Sequence, residues 1–113
     1  MKMIALKEIR DINKEYGGSP LNEAEMQTAI DMGKTAYKLI AYLWRAMLAG
    51  HAYSDANKRT TYVVTRTILE RNGMAIDDEC KIRMEKQMLK VASRPITDVK
   101  RIERMVKYAA EGH

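Results

Sequence analysis

Apolar residues recur at helical spacing through most of the chain. The first such stretch runs from Ile4 to Tyr16, and the pair Gly17-Gly18 that follows is typical of a helix stop. Ser19 is then predicted as the N-cap of a second helix. Pro20 would take the first helical position, where its missing N–H costs nothing.

The strongest helical signal lies between Lys34 and Ala49, and Gly50 is predicted to end it. Its apolar residues follow the i, i+3, i+4, i+7 spacing of a buried stripe: Ala36, Leu39, Ile40, Leu43, Trp44, Met47 and Leu48.

The segment from Asn57 to Asn72 carries conflicting signals. It holds a run of β-branched residues that propensity alone would assign to a strand: Thr60, Thr61, Val63, Val64, Thr65, Thr67 and Ile68. However, Arg59, Arg66 and Glu70 share one helical face, and Gly73 stands where a glycine commonly follows a helix. We therefore predict a buried central helix.

Two more helices are predicted, from Asp77 to Ala92 and from Thr97 to Ala110, separated by Ser93-Arg94-Pro95. No β-hairpin signal occurs. The expected fold is all-α, a single compact domain over residues 1–113 with about six helices around a central loop and helix.

The composition argues against a disulfide-stabilised, a membrane-spanning or a secreted protein. The 113 residues are 46% hydrophobic and 31% charged, and the single cysteine, Cys80, cannot form an internal disulfide. No apolar run is long enough to span a bilayer or to act as a signal segment. We expect a cytoplasmic protein with no membrane partner, and the net charge of +5 suits an anionic ligand.

The spacing of candidate ligands and glycines excludes a zinc site and a P-loop. His51 and His113 are the only histidines, no second histidine lies one turn from either, and Cys80 has no thiol partner, so the spacing of a zinc site is missing. Gly33-Lys34-Thr35 resembles the end of a P-loop, but Thr28 stands where that motif needs glycine, and no strand precedes it.

The main chemical candidate is the polar decapeptide HAYSDANKRT, residues 51–60, between two apolar helices. His51 is a candidate general base, Asp55 is a hard oxygen ligand suited to Mg²⁺, and Ala56 is small enough for close backbone approach. Donors at a helix N-terminus, the arrangement that binds phosphates, follow at once: Asn57, Lys58 and Arg59.

A plainer interpretation of the same residues stays open. The decapeptide would then be an ordinary helix–loop–helix turn, in which Asp55 or Asn57 is the N-cap and Lys58 and Arg59 are solvated.

The decapeptide resembles the signature of the Fic/Doc superfamily, and most closely that of its death-on-curing (Doc) branch: His-x-Phe-x-Asp, then Ala or Gly, then Asn-Lys-Arg-Thr. Tyr53 replaces the phenylalanine. Residues 16–20 resemble the Gly-Gly-Ser-Pro turn near Doc N-termini, and residues 69–73 resemble the Leu-x-x-Asn-Gly ending of the motif helix, so the resemblance covers about residues 9–75.

The chain departs from the family pattern at several positions. Ala52 replaces a common proline. Fic adenylyltransferases carry glycine at the position of Lys58 and a second arginine at that of Tyr62, and both differences favour Doc. The segment at 31–34, where a target-aligning flap is expected, is very short. The self-inhibitory pattern is approached only by Ser19 and Glu23, which we interpret as a helix start.

The resemblance implies a Doc-like toxin that transfers the γ-phosphate of ATP to a hydroxyl on a protein, a translation elongation factor being the family's known target. It implies His51 as the catalytic base, Asp55 as the holder of Mg²⁺, and an antitoxin protein as inhibitor. It further implies a set of nucleotide- and phosphate-binding residues: Ala56, Asn57, Lys58 and Arg59.

Two alternatives to a kinase remain. The same loop could hold the nucleotide the other way round and transfer a nucleoside monophosphate, as in AMPylation. The chain could also be a catalytically idle binding module, but no helix-turn-helix motif or aromatic stacking cluster favours nucleic acid as its partner.

Overall fold

A computed structural model describes residues 3–113, and within that range it contains helices and no strand. The predicted all-α fold is confirmed. The six α-helices are α1 (Leu6–Glu15), α2 (Glu23–Met32), α3 (Ala36–Trp44), α4 (Asn57–Arg71), α5 (Asp78–Ser93) and α6 (Val99–Glu111).

Helix α4 is the central helix, in contact with α1, α3 and α5. Its β-branched residues are compatible with a helix because the threonine hydroxyls bond to the helix backbone: Thr61 donates to the Asn57 carbonyl at 2.6 Å and Thr65 to the Thr61 carbonyl at 2.7 Å. The buried Trp44 indole N–H donates to Thr65 Oγ1 at 2.9 Å. Tertiary burial and these bonds override the strand propensity.

The end of α4 follows the sequence prediction. Gly73 has a φ of +83°, the left-handed conformation that glycine adopts at low cost. Its N–H donates to the Glu70 carbonyl at 3.0 Å, and the Met74 N–H donates to the Leu69 carbonyl at 2.9 Å. This pair of bonds is the Schellman arrangement, which satisfies the last carbonyls of the helix.

The predicted start of α2 is wrong. The helix begins at Glu23, and its N-cap is Asn22, whose side chain accepts a hydrogen bond from the Glu25 N–H. Ser19 and Pro20 are not helical, because the chain there pairs with a later loop: Pro20 forms an isolated antiparallel bridge with Tyr53.

The predicted helix at 34–49 also differs in detail. Thr35 is the N-cap of α3, and the α-helix ends at Trp44. A π-helical turn, Arg45–Ala49, then continues it to Gly50. Such turns are rare in proteins, and those that occur are often found at functional sites.

Helices α5 and α6 pack against each other, and α6 also packs on α3. Asp77 and Asp98 cap them, each accepting a backbone N–H bond through its side chain. None of the helices between residues 3 and 113 combines the length and the apolar character needed to cross a membrane.

Candidate functional site

The decapeptide begins with an irregular segment, residues 51–56, which we term the motif loop. It joins the π-helical turn to α4. The turn is tightened by a bond from the Gly50 N–H to the Arg45 carbonyl at 2.9 Å and by one from the Ala52 N–H to the Ala46 carbonyl at 3.1 Å. These two bonds hold the start of the motif loop against the π-helical turn.

The α1–α2 connector, residues 16–22, braces the motif loop. The Ala52 carbonyl accepts from the N–H groups of Leu21 and Asn22 at 2.9 and 3.0 Å. The Ser54 N–H donates to the Ser19 carbonyl at 2.8 Å, and the Ser19 N–H donates to Ser54 Oγ at 2.9 Å. These hydrogen bonds explain why Ser19 and Pro20 are not helical.

Two side chains hold the loop from within. Tyr53 is 1% exposed, and its hydroxyl donates to Glu23 at 3.4 Å; burial raises the pKa of this phenol, so it remains protonated at neutral pH. The Asn57 amide clamps the Tyr53 backbone, accepting from its N–H at 3.1 Å and donating to its carbonyl at 2.8 Å. Asn57, which the resemblance assigns to phosphate binding, thus uses its side chain to hold the motif loop.

The N-terminus of α4 has no side-chain cap. Its N-cap is Ala56, in the left-handed conformation with φ 60° and ψ 24°, so neither Asp55 nor Asn57 is the N-cap that the plainer interpretation expects. Within the described chain, the N–H groups of Asn57, Lys58 and Arg59 have no hydrogen-bond partner. Such uncapped groups, at the positive end of the helix dipole, bind anions.

His51 and Asp55 lie on the exposed part of the motif loop. His51 has a φ of 50°, and its imidazole makes no hydrogen bond to residues 3–113. The Asp55 carboxylate accepts from the Ala56 N–H at 2.7 Å. Apart from glycines, His51 and Ala56 are the described residues with positive φ, and such strained residues cluster at functional sites.

A groove of about 710 Å³ runs along α4 and α5 from the start of α4. Its apolar lining includes Val63 and Met88, and Glu85 is the acidic residue among its described lining. The cationic lining residues outnumber it five to one: Lys58, Arg59, Arg66, Lys81 and Lys86. The groove is therefore lined by both apolar and cationic side chains.

The groove does not include the whole predicted site. Lys58 and Arg59 line it, and the Arg59 guanidinium lies 4.6 Å from the centre of the Tyr16 ring. His51 and Asp55 are not among its lining residues. The predicted site thus has two parts, the exposed motif loop and a cationic groove, which meet at the first turn of α4.

Asp55 alone does not make a metal site. Among residues 3–113, no three His, Cys, Asp or Glu side chains converge as metal ligands. Mg²⁺, however, is commonly held by one or two carboxylates together with nucleotide phosphates and water. The exposed Asp55 carboxylate beside the uncapped helix terminus fits Mg²⁺ that arrives with a nucleotide.

The structure adds one residue that the sequence analysis missed. Asn13, on α1, is 1% exposed, and its Nδ2 donates to the Asp55 carbonyl at 2.9 Å and to Thr60 Oγ1 at 3.0 Å. The available signal was an amide four residues after the buried Ile9, on the apolar face of an amphipathic helix.

Cys80 is buried, which raises the pKa of its thiol and makes it a poor nucleophile.

A comparison of the chain with protein-family models, curated proteins and solved structures finds no significant match. The resemblance of the decapeptide to Fic/Doc proteins therefore rests on its own residues and spacing.

The left-handed N-cap predicts the effect of removing one methyl group. We expect Ala56→Gly to raise the free energy of unfolding by about 1 kcal/mol, because glycine lacks the Cβ that makes this conformation costly. Ala92→Gly, in the last turn of α5, is the matched control and should lower it. Urea unfolding of the two variants measures both; destabilisation by Ala56→Gly would contradict the assigned backbone strain.

Proposed function

We propose that this protein is a Doc-like phosphotransferase that moves the γ-phosphate of ATP to a hydroxyl on a protein. The observation that carries the proposal is the uncapped N-terminus of α4, where three N–H groups without a partner among residues 3–113 lie beside the cations Lys58 and Arg59. The decapeptide that forms this terminus has the Doc spacing. A terminus without its own cap is suited to an external anion.

The proposed roles follow the chemistry of each group. His51 accepts the proton of the target hydroxyl, for which an exposed imidazole without competing hydrogen bonds is suited. The N–H groups of Asn57, Lys58 and Arg59 bind the phosphates, and the two cationic side chains add charge-assisted bonds. Positioning and charge neutralisation supply most of the rate acceleration in such transfers.

The remaining loop residues serve the same reaction. Asp55 would hold the nucleotide's Mg²⁺, which neutralises charge on the phosphates. The left-handed Ala56 directs the first N–H groups of α4 toward the ligand, and the Asn57 amide keeps the loop closed on Tyr53. A translation elongation factor is the proposed target, as the resemblance implies.

Label transfer tests this function against its alternatives. The purified chain is incubated with Mg²⁺, an elongation factor and ATP labelled on either the α- or the γ-phosphate. We expect only the γ-label to reach the protein. Transfer of the α-label would instead support nucleotidyl transfer, and no transfer of either label would favour a binding module.

Replacement of His51 should separate catalysis from binding. We expect His51→Ala to lower the single-turnover rate of transfer by about 10²- to 10⁴-fold, the usual cost of losing a general base, with nucleotide affinity nearly unchanged. His113→Ala removes the other imidazole, which is 85% exposed, and should have no effect. Equal rates for both variants and wild type would contradict the base assignment.

Replacement of Lys58 tests the phosphate contact. We expect Lys58→Gly to weaken ATP affinity by about tenfold or more, since a lost hydrogen bond to a charged group costs about 1.5 to 3 kcal/mol. Lys100→Gly is the matched control, because Lys100 is also the second residue of a helix. Binding calorimetry compares them, and an unchanged affinity in Lys58→Gly would show that this lysine holds no phosphate.

The cationic groove supports an antitoxin as partner, in the form of an acidic amphipathic segment that covers the first turn of α4. We expect expression of the chain alone to slow the growth of a host with a susceptible elongation factor, and co-expression of an adjacent small open reading frame to relieve it. His51→Ala at the same level should be harmless. Equal harmlessness of wild type and variant would remove the support for a toxin.

A further inference from the structure

Asn13 lies outside the decapeptide and yet bonds to its backbone. It is on α1, and its amide nitrogen bridges the Asp55 carbonyl and the Thr60 hydroxyl, at 2.9 and 3.0 Å. These two acceptors flank Ala56, the left-handed residue that starts α4. One side chain therefore spans the point at which the motif loop turns into the helix.

The orientation of the amide is fixed by chemistry. The Asp55 carbonyl can only accept a hydrogen bond, so the Asn13 nitrogen and not its oxygen must face it. The consequence is that Asn13 Oδ1 is buried with no partner in the described chain. Reversing the amide would place Oδ1 against the Asp55 carbonyl oxygen, so the bonds on the nitrogen side determine how this side chain sits.

Gly18 supports this contact from the opposite side. A Cβ at Gly18 would lie 2.6 Å from the Asp55 carbonyl oxygen and 2.6 Å from Asn13 Nδ2, and it would overlap Asn13 Oδ1. Only glycine therefore lets the connector close on the pair. The neighbouring Gly17 has a φ of +89°, but no atom of residues 3–113 outside its chain neighbours lies within 4 Å of where its Cβ would be. Glycine is therefore favoured at position 17 by the backbone conformation of the turn and not by a close contact.

We propose that Asn13, kept in place by Gly18, is a positioning residue that sets the direction of the first N–H groups of α4. The effect on phosphate binding rests on the proposed function. The positioning of the loop by Asn13 does not depend on it. Asn13 holds the residue before Ala56 and the residue four after it. Loss of this bridge frees the strained Ala56 to relax, and the N–H groups of α4 then lose their common direction.

The experiment pairs two test variants with two controls. Asn13→Ala removes the bridge, and Gly18→Ala displaces it from the other side. Tyr37→Phe removes a different interhelical bond, the one to Glu111 at 2.7 Å, and Gly73→Ala strains a left-handed glycine beyond the other end of α4. Asn13→Ser, a smaller change, is a second bridge variant in case Asn13→Ala does not fold.

Two readouts are measured, amide hydrogen exchange of residues 51–60 and calorimetric affinity for Mg²⁺-ATP. We expect Asn13→Ala and Gly18→Ala to accelerate exchange in the loop more than elsewhere and to weaken affinity by roughly tenfold, as expected for a lost hydrogen bond. The controls should lower overall stability while loop exchange and affinity stay at wild-type values. A purely structural role predicts no such difference.

The outcomes separate the two claims. If the bridge variants lose only overall stability, as the controls do, the positioning role is refuted. If wild type itself binds no nucleotide while loop exchange still rises selectively in the bridge variants, the positioning role stands and the proposed function fails.

Discussion

The left-handed turn at Ala56 is the constraint on which the candidate site depends. With φ 60° and ψ 24°, it starts α4 without a capping side chain and leaves the first N–H groups of the helix unpartnered in the described chain. Left-handed backbone is costly for alanine, so it persists only where surrounding contacts impose it. Those contacts come from three directions: Asn13 on α1, the connector at Ser19 and Leu21, and the Asn57 clamp on Tyr53.

The elements around the motif loop support this turn. The π-helical turn after α3 directs the motif loop out of the core, and the bonds of Thr61 and Thr65 keep α4 helical beneath it. The groove then extends the cationic surface from Lys58 along α5. Buried helices thus support a short loop on which His51 and Asp55 are exposed, which is the usual division between stability and function.

Much of the fold could be predicted from the sequence, because apolar spacing and the glycine at 73 are local signals. The α2 start could not be, since Ser19 and Pro20 read locally as a helix start, whereas the observed conformation depends on pairing with Tyr53, 33 positions later. In the site, residue types and spacing indicated His51 and its neighbours. The bridge from Asn13 was not predictable, because it forms only when α1 packs on α4.

The proposed phosphate binding at the first turn of α4 can be tested residue by residue with the backbone N–H signals of isotope-labelled protein. The measurement is an NMR titration with Mg²⁺-ATP. If phosphate binds there, the amide signals of Asn57, Lys58 and Arg59 shift most and saturate together. Shifts confined to residues away from the first turn of α4, or no saturable shift at all, would contradict phosphate binding at this turn.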